Sequence, residues 1–123
     1  MRARIEVVTV PVSDPDVAKQ FYVDQLGFTL DHDQTVSDEI RFIQTTPPGS
    51  ACSIAFGRGL SAMEPGSLKA VMLVVDDADA ARAELLEAGV EASEVDPQPW
   101  GRFVTFEDPD GNRWTLQELP TRR

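Results

Sequence analysis

Residues 5–12 form a run rich in β-branched side chains that ends abruptly at Ser13-Asp14-Pro15. The run predicts a strand, and the residues after it predict a helix start. Asp14 offers a carboxylate to the free N–H groups of a first turn, and Pro15 fills the first helical position, where a missing N–H costs nothing. The helix is expected to reach about Leu26 and to stop at Gly27, which tolerates the left-handed backbone of a helix end. The pattern then recurs, with a strand over residues 70–75, a cap at Asp77, a helix to Ala88 and a stop at Gly89. Asp14, Asp16, Ala18, Lys19 and Tyr22 correspond to Asp77, Asp79, Ala81, Arg82 and Leu85 at one offset of 63 residues (77 against 14, 85 against 22). A register kept through a whole strand and helix implies an internal duplication, with a period too long for a solenoid.

Three strand-like segments follow each helix: residues 28–33, 40–45 and 51–56 in the first half, and 90–95, 103–107 and 113–119 in the second. Each half therefore reads as strand, helix and three strands, a βαβββ unit. The stretch 57–67, with Gly59, Pro65 and Gly66, reads as the connection between them. The expected organisation is one domain over residues 1–123, with a first module at about 1–57, a linker at about 58–67 and a second module at about 68–123. Neither half is large enough to bury its sheet alone, so the two are expected to share one core.

The chain's last hairpin can be read in more detail. In Asp108-Pro109-Asp110-Gly111-Asn112, Pro109 presets φ for a turn, Asp110 tolerates the next position and Gly111 supplies the positive φ that leads into a strand. Alternation along that strand puts Trp114, Leu116 and Glu118 on one face, and Arg113, Thr115 and Gln117 on the other. A carboxylate at the end of an apolar face has two readings: a side chain reaching solvent at a frayed end, or a functional group.

Charge and composition narrow the partners. The chain has 21 acidic and 11 basic residues, a formal charge of −10, so nucleic-acid backbones are repelled; its basic clusters, Arg2/Arg4 and Arg122/Arg123, read as solvated ends. The acidic surface suits solubility and a cationic ligand alike. A single cysteine, Cys52, permits no internal disulfide, and the N-terminus lacks the succession of a signal peptide, which together point to a reducing cytoplasm. Cys52 alternates with Ile54 and Phe56 and is read as a small buried hydrophobe. The apolar run 70–75 falls far short of the roughly 18 residues of a membrane span, so no membrane partner is expected. The sole histidine lies in Asp31-His32-Asp33, where alternation places the two acids on one face and His32 on the other. That geometry opposes a three-ligand cluster and reads as a solvated acidic strand edge.

Taken together, VSDPDVAKQFY at the first helix, VVDDADAARAELLEAGV at the second and FEDPDGNRWTLQE near the end resemble the vicinal oxygen chelate superfamily of glyoxalase, bleomycin-resistance and extradiol dioxygenase proteins. The resemblance covers nearly the whole chain. It implies an α+β fold of two paired βαβββ modules forming a U-shaped mixed sheet with a concave cleft and helices on the outer face. It says less about activity, because the superfamily holds metal-dependent lyases, isomerases and dioxygenases as well as drug-binding proteins. Family members often pair so that a partner chain completes the site, which implies a homodimer.

In metal-using relatives the ion is held by residues of the first and last strands of each module. The corresponding positions here are Val7, Ser53 and Ala70, with Glu118 as the one match. A divalent cation needs several convergent donors, and Val and Ala supply none, so no metal and no other cofactor is expected. Alternation points Val7, Thr9, Ser53, Ala55, Ala70, Met72, Phe103, Thr105, Trp114 and Leu116 into the cleft, while Val8, Val10, Ile54, Phe56, Leu73, Val75, Val104 and Phe106 are expected to pack under the helices with Phe21, Tyr22 and Leu85. Trp100, between Pro99 and Gly101, reads as a mouth residue or a dimer contact.

The expected ligand-binding set is Val7, Thr9, Gln44, Ser53, Ala70, Met72, Trp100, Phe103, Trp114 and Glu118, for a small aromatic or cationic organic molecule, with antibiotic sequestration as one form this takes. Two alternatives stand beside it. One is a lyase or isomerase acting on a small carbonyl compound with Glu118 as general acid or base, its pKa raised by the apolar face. The other is a metal-dependent glyoxalase- or dioxygenase-like enzyme, should the strand register differ by one residue.

Overall fold

In the computed structural model, which describes residues 1–120, the first helix begins as the sequence requires. The Asp14 carboxylate accepts from the N–H groups of Asp16 and Val17, with Pro15 in the first turn. The terminal pair Arg122/Arg123 lies outside the described residues. Helix α1 (Pro15–Lys19) continues as a π-helical segment (Gln20–Gln25), closed by a bond from the Leu26 N–H to the Phe21 carbonyl. The wider turn leaves two adjacent rings, Phe21 and Tyr22, both buried.

The first half forms strands β1 (Val7–Thr9), β2 (Thr29–Thr35), β3 (Arg41–Thr46) and β4 (Ser53–Arg58), in the sheet order β1-β4-β3-β2. The second half repeats this with β5 (Val71–Val75), α2 (Ala78–Glu87), β6 (Asp96–Gln98), β7 (Gly101–Glu107) and β8 (Arg113–Glu118), in the order β5-β8-β7-β6. In each sheet the first and last strands pair in parallel and the others antiparallel. The fold is thus α+β with paired βαβββ modules. One strand is displaced from its expected place: residues 90–95 make only an isolated bridge, Ala92 to Phe106, and regular pairing starts at Asp96. The Ser93 hydroxyl takes the Thr105 N–H, a donor that a regular ladder would have used.

One core joins the halves. Val10, Ile43, Ile54 and Phe56 from the first sheet and Val104, Phe106, Trp114 and Leu116 from the second pack with Phe21, Tyr22 and Leu85. The Tyr22 ring lies 5.2 Å from Phe56 and 5.8 Å from Trp114, between the two sheets, and Phe21 lies 6.4 Å from Phe106. Edge-on and tilted ring pairs of this kind stabilise beyond their buried area. Cys52 is only half-buried, with its thiol directed to the Ser53 carbonyl.

The DPDGN turn ties the halves together. Asp108, buried, accepts from the Tyr22 hydroxyl at 2.6 Å, from the N–H groups of Asp110 and Asn112 at 2.9 Å each, and from the Asn112 side chain at 2.8 Å. Asn112 also donates to the Pro11 carbonyl and accepts from the Leu68 N–H, while Asp110 accepts from the hydroxyl and N–H of Ser13. Gly111 has the expected positive φ of 93°. Gly66 is forced for another reason, since a Cβ there would lie 2.1 Å from the Asp110 carbonyl oxygen.

On the helix side of the first sheet, Asp33 is gripped by Arg41 through two bonds of 3.0 and 2.9 Å and by Lys19 at 2.7 Å, and Arg41 also reaches Asp16. Hydrogen bonds from Arg41, then from Lys19, lower the Asp33 pKa from 3.8 to about 2. A carboxylate whose folded pKa is depressed stabilises the fold fully above its unfolded value and loses that contribution as pH falls through the folded one. Asp33→Asn is therefore expected to lower the midpoint of thermal unfolding at pH 7, with the gap from the parent protein closing between about pH 4 and pH 2. A gap that stays constant over that range would show that the ion pair is not its source.

Candidate functional site

Each sheet has one face under helices and one face open. On the first sheet the open face is made of two transverse rows. Thr9, Ala55, Gln44 and His32 face one another across β1, β4, β3 and β2; one step along, Val7 faces Ser53, whose hydroxyl lies 2.6 Å from that of Thr46. Thr46 in turn donates to the Asp31 carboxylate. Four of the expected ligand-binding residues, Val7, Thr9, Gln44 and Ser53, are thereby brought together.

The acidic edge differs from its expected geometry. Thr29 stands opposite Thr46, so Asp31 lies on the open side and meets Thr46; the β2–β3 register then shifts between Leu30 and His32, so that Asp33 stands opposite Ile43 and meets Arg41 and Lys19 on the helix side. A bulge inserts one residue and so breaks strict alternation. The two acids therefore serve different faces, which plain strand periodicity could not anticipate.

On the second sheet, pairing sets Met72 beside Thr115 and Thr105, and Val74 beside Gln117 and Phe103. These form its open face, with Ala70 one step before β5. Trp100, 62% exposed, lies between β6 and β7, where its carbonyl accepts from Gln117. Trp114 and Glu118, expected in the cleft, are on the opposite face. Trp114 pairs with Phe106 and Val71, is fully buried and donates its indole N–H to Tyr22. Glu118 accepts from the Ala78 N–H at 2.8 Å, at the start of α2, and pairs with Arg102 at 3.3 Å. Its carboxylate satisfies a free donor of the helix's first turn, a structural use of charge.

The cause of this correction is register. The turn that joins β7 to β8 puts Phe106 opposite Trp114, so Phe103 and Thr105 share a face with Thr115 and Gln117 rather than with Trp114 and Leu116. The β8 residues on the open face are therefore Arg113, which pairs with Glu107, and the uncharged Thr115 and Gln117, none of them a carboxylate. At the other positions for which the family resemblance implies metal donors, Val7 and Ala70 carry no donor atom and Ser53 a single hydroxyl. Among the described residues, no three His, Cys, Asp or Glu side chains converge.

The open faces of the two sheets turn away from each other within one chain, because the shared core and the Tyr22 ring lie between the opposite faces. Val7, Met72 and Val74 stay exposed there, Val74 by 64%. A separate cavity of about 560 Å³ lies at the seam between the halves, bounded by Phe28, Pro47, Ser50, Val74 and Leu85, and of the expected site residues only Met72 reaches it. Among the described residues, no helix is long and apolar enough to cross a membrane.

Comparison with known proteins places these features in context. A family model described as the Glyoxalase/Bleomycin resistance protein/Dioxygenase superfamily matches residues 4–116. The crystal structure of TnmS3, an antibiotic binding protein from Streptomyces sp. CB03234, is similar with a TM-score of 0.88 and 39% identity, covering 97% of this chain and 98% of that one. A glyoxalase/bleomycin resistance protein from the same organism has a TM-score of 0.82 and 40% identity, covering 93% and 99% of the two chains. The uncharacterized protein YetH of Bacillus subtilis (strain 168) is 31% identical over 122 residues, 96% of this chain and 100% of its own length.

Proposed function

This chain belongs to the glyoxalase/bleomycin resistance protein/dioxygenase superfamily, and on that premise we propose that it is a metal-free binding protein for a small aromatic or cationic organic molecule, working as a homodimer in the cytoplasm. The observation that carries the reading is the makeup of the open faces: neutral side chains at Val7, Ser53 and Ala70, where the family resemblance implies metal donors, with Thr115 and Gln117 beside them and Glu118 turned to the other face. Such a surface offers apolar area with a few fixed polar groups, which is the composition of an organic ligand site. The similarity to an antibiotic binding protein across nearly the whole chain supports the same class of ligand.

What supports the homodimer is the absence of a cover on the open faces. Val7, Met72 and Val74 are exposed on them, and β1 and β5 each end a sheet with one edge unpaired. Exposed apolar edges of this kind need a cover. A second copy that brings its second sheet to the first sheet of its mate encloses two equivalent clefts, each lined by Val7, Thr9, Gln44 and Ser53 from one chain and Met72, Phe103 and Trp100 from the other. Glu118, occupied with α2 and Arg102, is left out of this site, and with it the acid–base reading that rested on its carboxylate.

Isothermal titration against a panel of aromatic and cationic compounds, with sedimentation on the same samples, tests the proposal. Saturable binding at one site per chain by a dimer is expected. No binding across the panel, or stoichiometric metal in protein purified without chelator, would overturn it.

A further inference from the structure

The hydroxyls of Thr46 and Ser53 form a chain with a fixed direction, and we propose that this chain makes the site selective for ligands carrying a hydrogen-bond donor, such as a phenol or an amine, on their aromatic frame. The inference deepens the binding reading above and rests on it. Its starting point is the Asp31 carboxylate, which when ionised can only accept hydrogen bonds. Thr46 has one hydroxyl hydrogen and gives it to Asp31. With that hydrogen committed, the Thr46 oxygen can only accept from Ser53, 2.6 Å away, so the Ser53 hydrogen points back along the chain.

Ser53 Oγ then has lone pairs left and no hydrogen to offer. Any further partner it meets on the open face must donate. The ordering of the chain also polarises that oxygen, since each bond is oriented by the charge at its end. Ser53 stands mid-sheet between Val7 and Thr46 and is only 6% exposed, so an unmatched group placed against it meets little water to compensate.

A second feature supports this arrangement. Asp31 lies two residues beyond Thr29, which stands opposite Thr46, and so shares its face; the register shift that follows keeps His32 on that face opposite Gln44 and turns Asp33 to the helix side, which leaves Asp31 free of the Arg41 and Lys19 cluster. Bulges re-aim side chains and are concentrated near functional sites. The result is a carboxylate held two bonds away from the centre of the face, where it sets the polarity of a neutral acceptor without itself occupying the site.

Titration of the dimeric protein with 2,6-dihydroxynaphthalene and with its dimethyl ether separates the possibilities. The two probes share a ring system, and the ether has acceptors in place of donors. The dihydroxy compound is expected to bind roughly tenfold more tightly, the size of effect that follows when a buried polar group is left unpaired. Asp31→Ala, at an exposed position, is expected to bring the ratio of the two affinities to about one while leaving thermal stability near that of the parent. Ser53→Ala is expected to remove the preference as well, with circular dichroism reporting that the fold is kept. Equal affinities for the two probes in the parent protein, or a preference that survives both substitutions, would overturn the donor selectivity and leave the binding reading standing. Absence of saturable binding by either probe would overturn both.

Discussion

Asp108→Ala is expected to lower the unfolding free energy by about 3 to 5 kcal/mol, read from urea denaturation at a fixed protein concentration. The residue carries no charge partner, yet four donors converge on its carboxylate: the Tyr22 hydroxyl, two backbone N–H groups of its own turn and the Asn112 amide. Truncation leaves the Tyr22 hydroxyl, the two backbone N–H groups and one of the two Asn112 amide hydrogens without an acceptor, in a place where Asn112 and Tyr22 are both fully buried. An unmade buried hydrogen bond costs more than a made one contributes, so the loss far exceeds that of an ordinary surface change.

The network around Asp108 also has a direction. Trp114 donates to the Tyr22 oxygen, which donates to Asp108, so asparagine at 108 would present an amide hydrogen where a lone pair is needed. Asp108→Asn is therefore expected to recover only part of the loss. Burial, reinforced by the Asp108 charge, pushes the Tyr22 phenol far above its usual value and keeps it a donor. A loss below about 1 kcal/mol for Asp108→Ala would mean that water replaces the carboxylate and that the turn is not the clasp between the halves.

The same turn shows how far the sequence could be read. Asp14 and Asp77 as helix caps, Pro15 in the first turn and Gly111 at positive φ follow from local stereochemistry, and each stands as expected. The offset of 63 residues between the two caps likewise appears as two sheets of identical strand order. Local rules did not decide which face of β7 matches which face of β8. Phe103, Val104, Thr105 and Phe106 give that strand apolar or neutral side chains on both sides, so alternation carries no signal. The register is set by the five residues 108–112, whose conformation depends on Tyr22, some 86 positions away in the chain. A one-residue difference in such a turn exchanges the faces of a strand. Alternation alone therefore assigns Trp114 and Glu118 to the wrong face. The Asp31–Thr46–Ser53 chain was invisible for a related one, since a bulge leaves no mark in a polar edge strand.

The exchange of faces makes the two tryptophans opposites. Trp114→Ala is expected to cost about 3 to 5 kcal/mol of stability, because it removes the largest fully buried side chain and opens a cavity between the sheets that Tyr22, Phe106 and Val71 cannot close. It also strands the Tyr22 oxygen, which loses the indole donor 2.9 Å away. Trp100→Ala, at an exposed position in the β6–β7 connection, is expected to change stability by less than about 0.5 kcal/mol and to weaken binding of an aromatic ligand roughly tenfold. Thermal unfolding and calorimetric titration of the two variants side by side therefore give crossed outcomes, one variant failing in the first measurement and the other in the second. Were Trp114→Ala instead to remain as stable as the parent while losing the ligand, the pairing of Phe106 with Trp114 would be wrong, and the cleft would have to be rebuilt on the other face of the second sheet.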